Sequence, residues 1–326
     1  METNGPLRFI SALTLDDLMR VTIAHVLKYG SSITARRGRA TEVTSILLEL
    51  TNPRARISRT ESRGKPFSCL GELCWYLSAS NEASFITYYI PDYNRDAEDG
   101  YLHGGYGPRL FDWKGQNQVE NVIELLQKNP TSRRAVIQLF DSSDLSSDHK
   151  DIPCTCTVQL FARGANLDMH THMRSNDLYL GLPHDVFSFT MLQEIIARQL
   201  NLEPGRYCHS VGSLHIYERD EEQIAEFINE GWQPTKCAMP PMPSGNPCPQ
   251  MAHLLEAEKA IRLNSADSLE PNDSIEEYWL DLVRLLKVFR CYKDKDFEKA
   301  KAIAATLSSP IYEFYVRTKL AQGMSK

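Results

Sequence analysis

The residues of this chain best equipped for chemistry lie between Pro153 and Tyr217. Pro153-Cys154 is followed by MRSNDLYLGLPHD over 173–185 and by GSLHIY over 212–217. Arg174, Ser175 and Asp177 bring a guanidinium, a hydroxyl and a carboxylate together, and their spacing predicts one short turn between a strand and a helix. So many polar groups in an otherwise apolar region cost desolvation unless a ligand or a network satisfies them. Cys154 is a candidate nucleophile. A free thiol has a pKa near ~8.5 and is mostly protonated at neutral pH, so it needs a cation nearby. Glu72 is a lone acid inside the apolar run PFSCLGELCWYLS (66–78). Burial there raises its pKa, which suits a group that both takes and gives protons near neutrality. His170 and His172 share a strand face, but no third ligand has convincing spacing, so no metal is expected.

Regular elements must position these groups. Thr14, with Asp17 behind it, predicts a helix that stops at Gly30. A strand is predicted over 43–50, an apolar helix over 66–78, and a helix over 117–129 ending at Pro130. Strands follow at 134–140, 155–161 and 166–173, then a long helix over 186–200 closed by a Pro204-Gly205 turn. A strand over 207–217 and a helix over 220–232 complete this part. Residues 234–249 hold six of the 17 prolines, a density that no regular element survives. Beyond it, MAHLLEAEKAIRL, DSIEEYWLDLVRLLKVFRCY, DFEKAKAIAATL and SPIYEFYVRTKLAQ are helical by pattern. The expected organisation is a domain over 1–235, a Pro-rich linker over 236–250 and a helical extension over 251–326.

Composition narrows the classes. A chain of 326 residues buries a core without disulfide or metal staples. Charged residues at 24% and a mean hydropathy of -0.37 are those of a soluble globular protein. A net charge of -6 argues against a protein that coats nucleic acid. No stretch approaches the ~20 apolar residues that span a bilayer. METNGPLRFI lacks the basic and apolar regions of a secretory signal, and the eight cysteines include no C-x-x-C pair. The cytoplasm is the expected compartment, with neither nucleic acid nor membrane as partner.

Taken in order, the motifs resemble those of the thymidylate synthase and pyrimidine-nucleotide hydroxymethylase superfamily. Its pattern is Pro-Cys, then Arg-Ser-x-Asp-x-x-Leu-Gly-Leu-Pro, then Gly-x-x-His-x-Tyr. Three further matches lie upstream: GELCWYL (71–77), Tyr106-Gly107, and Asn129-Pro130 with Ser132-Arg133-Arg134. The resemblance covers residues 14–235 and gives out in the C-terminal quarter. It implies an α+β fold: a mixed sheet with helices packed on one face, the other face pairing with a second subunit. It implies Cys154 as the thiolate that adds to C6 of a pyrimidine and makes C5 nucleophilic, with Arg174 as its cation. The phosphate of a pyrimidine nucleoside monophosphate would be held by Arg174, Ser175 and an arginine of ITARRGRATE. That loop offers Arg36, Arg37 and Arg39, of which Arg37 is carried forward. Arg133 and Arg134 would reach in from the neighbouring subunit, making a homodimer with shared active sites. Glu72 matches the proton-relay glutamate and Tyr106 a tyrosine of the nucleophile pocket. Asp177 matches the carboxylate that holds the pterin of 5,10-methylenetetrahydrofolate, and His215 and Tyr217 the residues that hold the sugar 3′-hydroxyl.

Departures from the pattern carry the substrate. Thymidylate synthases read Leu-Gly-Leu-Pro-Phe-Asn, and that amide recognises O4 and N3–H of uracil. Here LGLPHD puts His184 and Asp185 in those places. A carboxyl accepts from the N4 amine of cytosine and shares a proton with N3. The same exchange marks the cytidylate hydroxymethylases. Thr155 replaces the histidine after the nucleophile, and Gly212-Ser213 replaces Gly-Asp. Cys156 is expected as a packing residue. LAQGMSK stands where thymidylate synthases close an apolar tail over the folate, and an unsealed site admits the water that hydroxymethylation needs. The expected function is C5-hydroxymethylation of CMP or dCMP. C5-methylation of dUMP or another pyrimidine nucleotide, and a non-catalytic nucleotide-binding scaffold, are the alternatives.

Overall fold

The computed structural model describes residues 8–264 and 275–324; the opening METNGPL, Asp273-Ser274 of one predicted helix and the final Ser325-Lys326 lie outside them. β1 (Phe9–Ala12) leads into α1 (Leu15–Tyr29), whose Thr14 hydroxyl accepts from the Asp17 N–H at 3.1 Å. The N–H of Gly30 closes the other end on the Val26 carbonyl at 2.8 Å. β2 (Ser31–Ala35) and β3 (Gly38–Leu50) form a hairpin in which Ser31 faces Glu42. β1 pairs in parallel with the far half of β3, from Phe9–Leu47 to Ala12–Leu50. β1 and β2 were not foreseen: they are short, largely exposed and recruited by the longer β3 rather than announced by an apolar run of their own.

α2 (Pro66–Leu77), α3 (Ala83–Tyr89), α4 (Tyr106–Phe111) and α5 (Gln118–Lys128) follow. Then come β4 (Val136–Gln138), β5 (Thr155–Arg163), β6 (Asn166–Asp177), α6 (Gly181–Gln199), β7 (Glu203–Tyr217) and α7 (Glu221–Asn229). The strands form one sheet in the order β1-β3-β7-β6-β5-β4, with β2 beside β3. β1/β3 and β6/β7 are parallel and the other pairs antiparallel, so the sheet is mixed as expected. α1 and α6 lie against it, and α2 packs on α6. On the opposite face Leu47, Val136, Phe161, His170 and Cys208 stay half-buried or exposed.

Two local expectations are corrected. Arg174, Ser175 and Asp177 do not form a turn; they are the last residues of β6, with Ser175 beside Ser213 and Asp177 beside His215 of β7. The alternation that would have revealed a strand breaks here. The buried side of β6 runs Leu167, Met169, Thr171, Met173, then shifts to Asn176 and Leu178. β7 shifts at the same level, from Tyr207, His209 and Val211 to Leu214 and Ile216, and β3 holds Ser45 there at φ 58°. Gly212 makes the bend possible: a Cβ on it would lie 2.8 Å from the Arg174 carbonyl oxygen. The second correction concerns Pro204-Gly205, which already belongs to β7. The chain reverses at Asn201, φ 54°, and α6 begins at Gly181 rather than 186, so His184 and Asp185 fall in its first turns.

Residues 234–247 carry no helix or strand, in keeping with their prolines. Cys248 and Pro249 of the run expected to stay irregular open a helix, because a proline is tolerated in a first turn. The irregular part is nonetheless held in place. The Met239 N–H bonds the Arg54 carbonyl at 2.9 Å, and the Met242 N–H bonds the Glu194 carboxylate at 3.1 Å. α8 (Cys248–Arg262), α9 (Glu277–Lys293), α10 (Phe297–Ala304) and α11 (Glu313–Met324) follow. α8 and α9 pack against α2, where Phe289 stacks on Phe67 and Tyr89 at 6.0 and 5.4 Å. The Tyr89 hydroxyl donates to Glu258 of α8 at 2.8 Å. One apolar core runs from β1 to α11. No helix among the described residues is long and apolar enough to cross a membrane.

Candidate active site

Cys154 stands at the entrance to β5. Burial pushes its thiol up to about 11; Arg174 and Arg37 pull it down, while Asp185 and Asp151 add to the rise. Arg174 is therefore the largest charge favouring the thiolate, as a nucleophile requires. Its side chain does this while bracing the loop: Nε donates to the Pro153 carbonyl at 2.9 Å and Nη2 to the Ile152 carbonyl at 3.0 Å. Its backbone N–H donates to the Cys154 carbonyl at 2.9 Å. Tyr106 opens α4, and its hydroxyl oxygen accepts from both the N–H and the Oγ1–H of Thr155 at 3.0 Å. Thr155 thus orients Tyr106 and leaves the phenolic proton to donate elsewhere; Cys154 and Asp185 are the charges that bear on it. Buried Arg109 fixes α4 by bonding Asp144 at 2.6 and 2.9 Å and the His103 carbonyl at 3.0 Å.

Glu72 projects from α2 and is 3% exposed. Its Oε1 accepts from the hydroxyls of Tyr93 at 2.6 Å and Tyr76 at 3.0 Å, and its Oε2 is buried without a partner among the described residues. Burial raises its pKa against those two bonds. Asp185, on α6, accepts at Oδ2 from the Asn176 amide at 2.7 Å. Burial holds its carboxyl well above the usual range, and the charge of Glu72 adds to the effect. Among the described residues neither acid has a cation beside it. His184 plays another part: Nδ1 meets the Leu180 carbonyl at 3.1 Å and Nε2 the Ser68 hydroxyl at 3.0 Å, which bolts α6 to α2. Burial, with Arg63 adding, pushes it down to about 3, so it stays neutral.

Ser175, Asp177, Ser213, His215 and Tyr217 share one face where β6 and β7 run side by side. The rings of His215 and Tyr217 meet edge to face at 4.9 Å, and the Arg219 guanidinium lies 4.1 Å over Tyr217. Asp177 spends Oδ1 on the N–H groups of Tyr179 at 2.9 Å and Leu180 at 2.8 Å, leaving Oδ2 without a partner among the described residues. The Ser213 hydroxyl donates to Glu42 of β3, so the neighbouring strand supplies a carboxylate beside the position where Gly-Asp would carry one. Arg37 pairs with Asp96 at 2.6 Å, and with Arg36, Arg95 and Arg219 it lines an open cavity of about 270 Å³. Its charge also bears on Cys154 and Tyr217.

Arg133 and Arg134 are exposed in the loop that precedes β4. Among the described residues neither guanidinium has a hydrogen-bond or ion-pair partner, and neither is among the charges that bear most on Cys154. Several members of the cluster around Cys154 were not foreseen. Tyr76 and Tyr93 hold Glu72, Asp151 bears on Cys154, and Asn176 holds Asp185. Arg63 is 6% exposed, its guanidinium 4.8 Å over the Tyr179 ring and 3.3 Å from the Leu180 carbonyl, with no ion pair among the described residues. Asn176 had one available signal, the RSND run itself, which the bend of β6 disguised. Among the described residues no group of three His, Cys, Asp or Glu side chains could hold a metal ion.

The family model of thymidylate synthase matches residues 20–242, a span that contains every residue of this site. The chain belongs to the thymidylate synthase family. It is 30% identical over 178 residues to the thymidylate synthase of Enterobacteria phage T4, covering 49% of this chain and 62% of that protein. It is 27% identical over 213 residues to the deoxyuridylate hydroxymethyltransferase of Bacillus phage SP01, covering 61% and 56% respectively. Against the thymidylate synthase of Mycoplasma pneumoniae it is 29% identical over 149 residues, 46% of this chain and 52% of that one. The chain thus spans little more than half the length of these family members.

Proposed function

We propose that this member of the family is a one-carbon transferase that adds a hydroxymethyl group to C5 of a cytidine 5′-monophosphate, CMP or dCMP, with 5,10-methylenetetrahydrofolate as donor. The observation that carries the cytidylate reading is Asp185, a buried carboxyl with no counter-cation among the described residues, at the place where the family amide reads uracil. One carboxyl oxygen accepts from the N4 amine, and the other shares a proton with N3, which makes C6 electrophilic. The Cys154 thiolate then adds to C6, with Arg174 offsetting its charge. Tyr106 offers its free phenolic proton beside the thiol. Glu72, whose Oε2 is free, takes up and returns protons and orders the water that becomes the new hydroxyl. His215 and Tyr217 hold the 3′-hydroxyl; Arg37, Arg174 and Ser175 hold the phosphate. Arg133 and Arg134 join them from the partner subunit of a homodimer, across the sheet face that α1 and α6 leave open.

When bound, the folate supplies the one-carbon unit. Asp177, through its unbonded Oδ2, fits the N–H donors of a pterin, and Arg63 over Tyr179 adds a buried cation to the same end of the pocket. We take 1–235 as the catalytic domain, 236–250 as its Pro-rich linker and 251–326 as a helical extension that braces α2 behind Glu72. All eight cysteines are free, which fits the reducing cytoplasm. A second reading, C5-methylation of dUMP, is favoured by the names of the two thymidylate synthases. Hydroxymethylation is the activity named for the phage SP01 protein. Incubation with CMP, dCMP, UMP and dUMP plus methylenetetrahydrofolate, followed by product mass, separates the two. Hydroxymethylated cytidylate is expected; methylated uridylate with dihydrofolate would overturn the proposal.

A further inference from the structure

A buried chain of hydrogen bonds runs behind Asp185. The Tyr207 hydroxyl meets His209 Nδ1 at 2.8 Å, His209 Nε2 meets Asn176 Oδ1 at 2.9 Å, and Asn176 Nδ2 meets Asp185 Oδ2 at 2.7 Å. Tyr207 and His209 are 0% exposed and Asn176 is 4%. Such a chain has only two senses, because an imidazole with one proton and an amide each donate at one end and accept at the other. If His209 donated to Tyr207, the phenolic proton would turn to the buried Thr171 Oγ1, and the Thr171 hydroxyl proton would then have no acceptor among the described residues, at a cost of about 1–3 kcal/mol. The satisfied sense therefore runs Tyr207 to His209 to Asn176 to Asp185. Burial, with His170 and His172 adding, pushes His209 down to about 3, so the ring keeps a single proton.

This sense holds Oδ2 of Asp185 as an acceptor and leaves Oδ1 to carry any proton of the neutral acid. An acid free to move its proton between oxygens could present donor and acceptor in either order. Cytosine offers N4–H and N3, uracil O4 and N3–H, and the two edges need opposite orders. We propose that Tyr207, His209 and Asn176 form a positioning relay that fixes which oxygen of Asp185 carries the proton, and so makes the pocket read one pyrimidine rather than two. The proposal rests on the reading that Asp185 faces the base.

The test measures dissociation constants of CMP and UMP, and of dCMP and dUMP, by calorimetry, with kcat/KM alongside. The variants are His209→Leu, His209→Gln and Tyr207→Phe. Loss of the relay in His209→Leu should lower the ratio between preferred and disfavoured base by about ten-fold or more. His209→Gln, whose Nε2 can still donate to Asn176, should restore most of it. Tyr207→Phe removes one hydroxyl and keeps the ring, so it carries the test should His209→Leu fail to fold; its ratio should fall by a few-fold. Equal weakening of both bases, with the ratio unchanged in His209→Leu and Tyr207→Phe, would overturn the relay. Asp185→Asn separates the two claims: if its ratio changes and theirs does not, the relay alone fails, and if neither changes, Asp185 is not the base reader.

Discussion

α6 carries two buried acids in opposite states. Glu194, in its middle, has a side chain with 0% exposure, and it is met by Arg54 at 2.7 Å, by Arg56 and by the Met242 N–H at 3.1 Å. Burial raises its pKa, but the Arg56 and Arg54 charges outweigh this and hold it below the ordinary value. Asp185, in the first turns of the same helix, receives one amide and has Glu72 as its strongest charged neighbour, and its pKa is raised. A buried acid that serves the architecture is given its counter-charges. One left uncompensated lowers stability, and buried groups of that kind gather where chemistry is done.

The two states have opposite pH signatures. The folded pKa of Glu194 lies below its unfolded value, so its stabilisation is present above the ordinary 4.5 and is lost as pH falls. Asp185 and Glu72 have raised folded values. Their contribution is complete below the ordinary 3.8 and 4.5 and is lost as pH climbs through the raised values.

The comparison is sharpened most at Cys154. Cys154→Ala should abolish both product formation and exchange of the C5 hydrogen, while nucleotide affinity and thermal stability stay near wild type. Substantial residual exchange would move the nucleophile elsewhere, with Cys156 the first alternative. Next comes Glu72→Gln, expected to slow turnover by about 10²-fold or more. Its melting temperature at neutral pH should be unchanged or higher, because the variant has no buried acid to ionise; a marked fall would make Glu72 a structural residue. Glu194→Gln should behave in the reverse manner. Leaving Arg56 without its carboxylate should cost about 3 kcal/mol in denaturant unfolding, and the preference between cytidylate and uridylate should not move. The smallest effect is expected from mixed dimers. Arg133→Ala and Cys154→Ala chains, each impaired alone, should recover part of the activity when mixed, because one hybrid site has both wild-type groups. A fully active monomer would sink the shared site.

The sequence marked the fold where one side of an element is buried and the pattern is regular. The Thr14 cap and the apolar run of α2 stand as expected, whereas the proline-dense run expected to stay irregular over 234–249 does so only to 247. It was silent on β1 and β2, whose pairing depends on β3 rather than on their own residues. It misled at Arg174–Asp177, where three strands bend together at Gly212 and the period-two pattern changes sides. The site divides the same way. Glu72 was legible as one acid in an apolar run, and Cys154, Asp177 and His215 through their motifs. Tyr93, Asn176 and His209 were not, because their parts depend on side chains that meet only in the folded protein.

The central claim is that Asp185, left without a counter-charge, reads the base. An amide in its place loses the acceptor that N4–H needs and matches O4 and N3–H of uracil instead. The direct measurement is the ratio of kcat/KM for dCMP over dUMP, and for CMP over UMP, in wild type and Asp185→Asn. The ratio should favour cytidylate in wild type and fall by about 10²-fold or more in the variant, with binding of uridylate gained. An unchanged ratio, or a wild type that already prefers uracil, would contradict the claim.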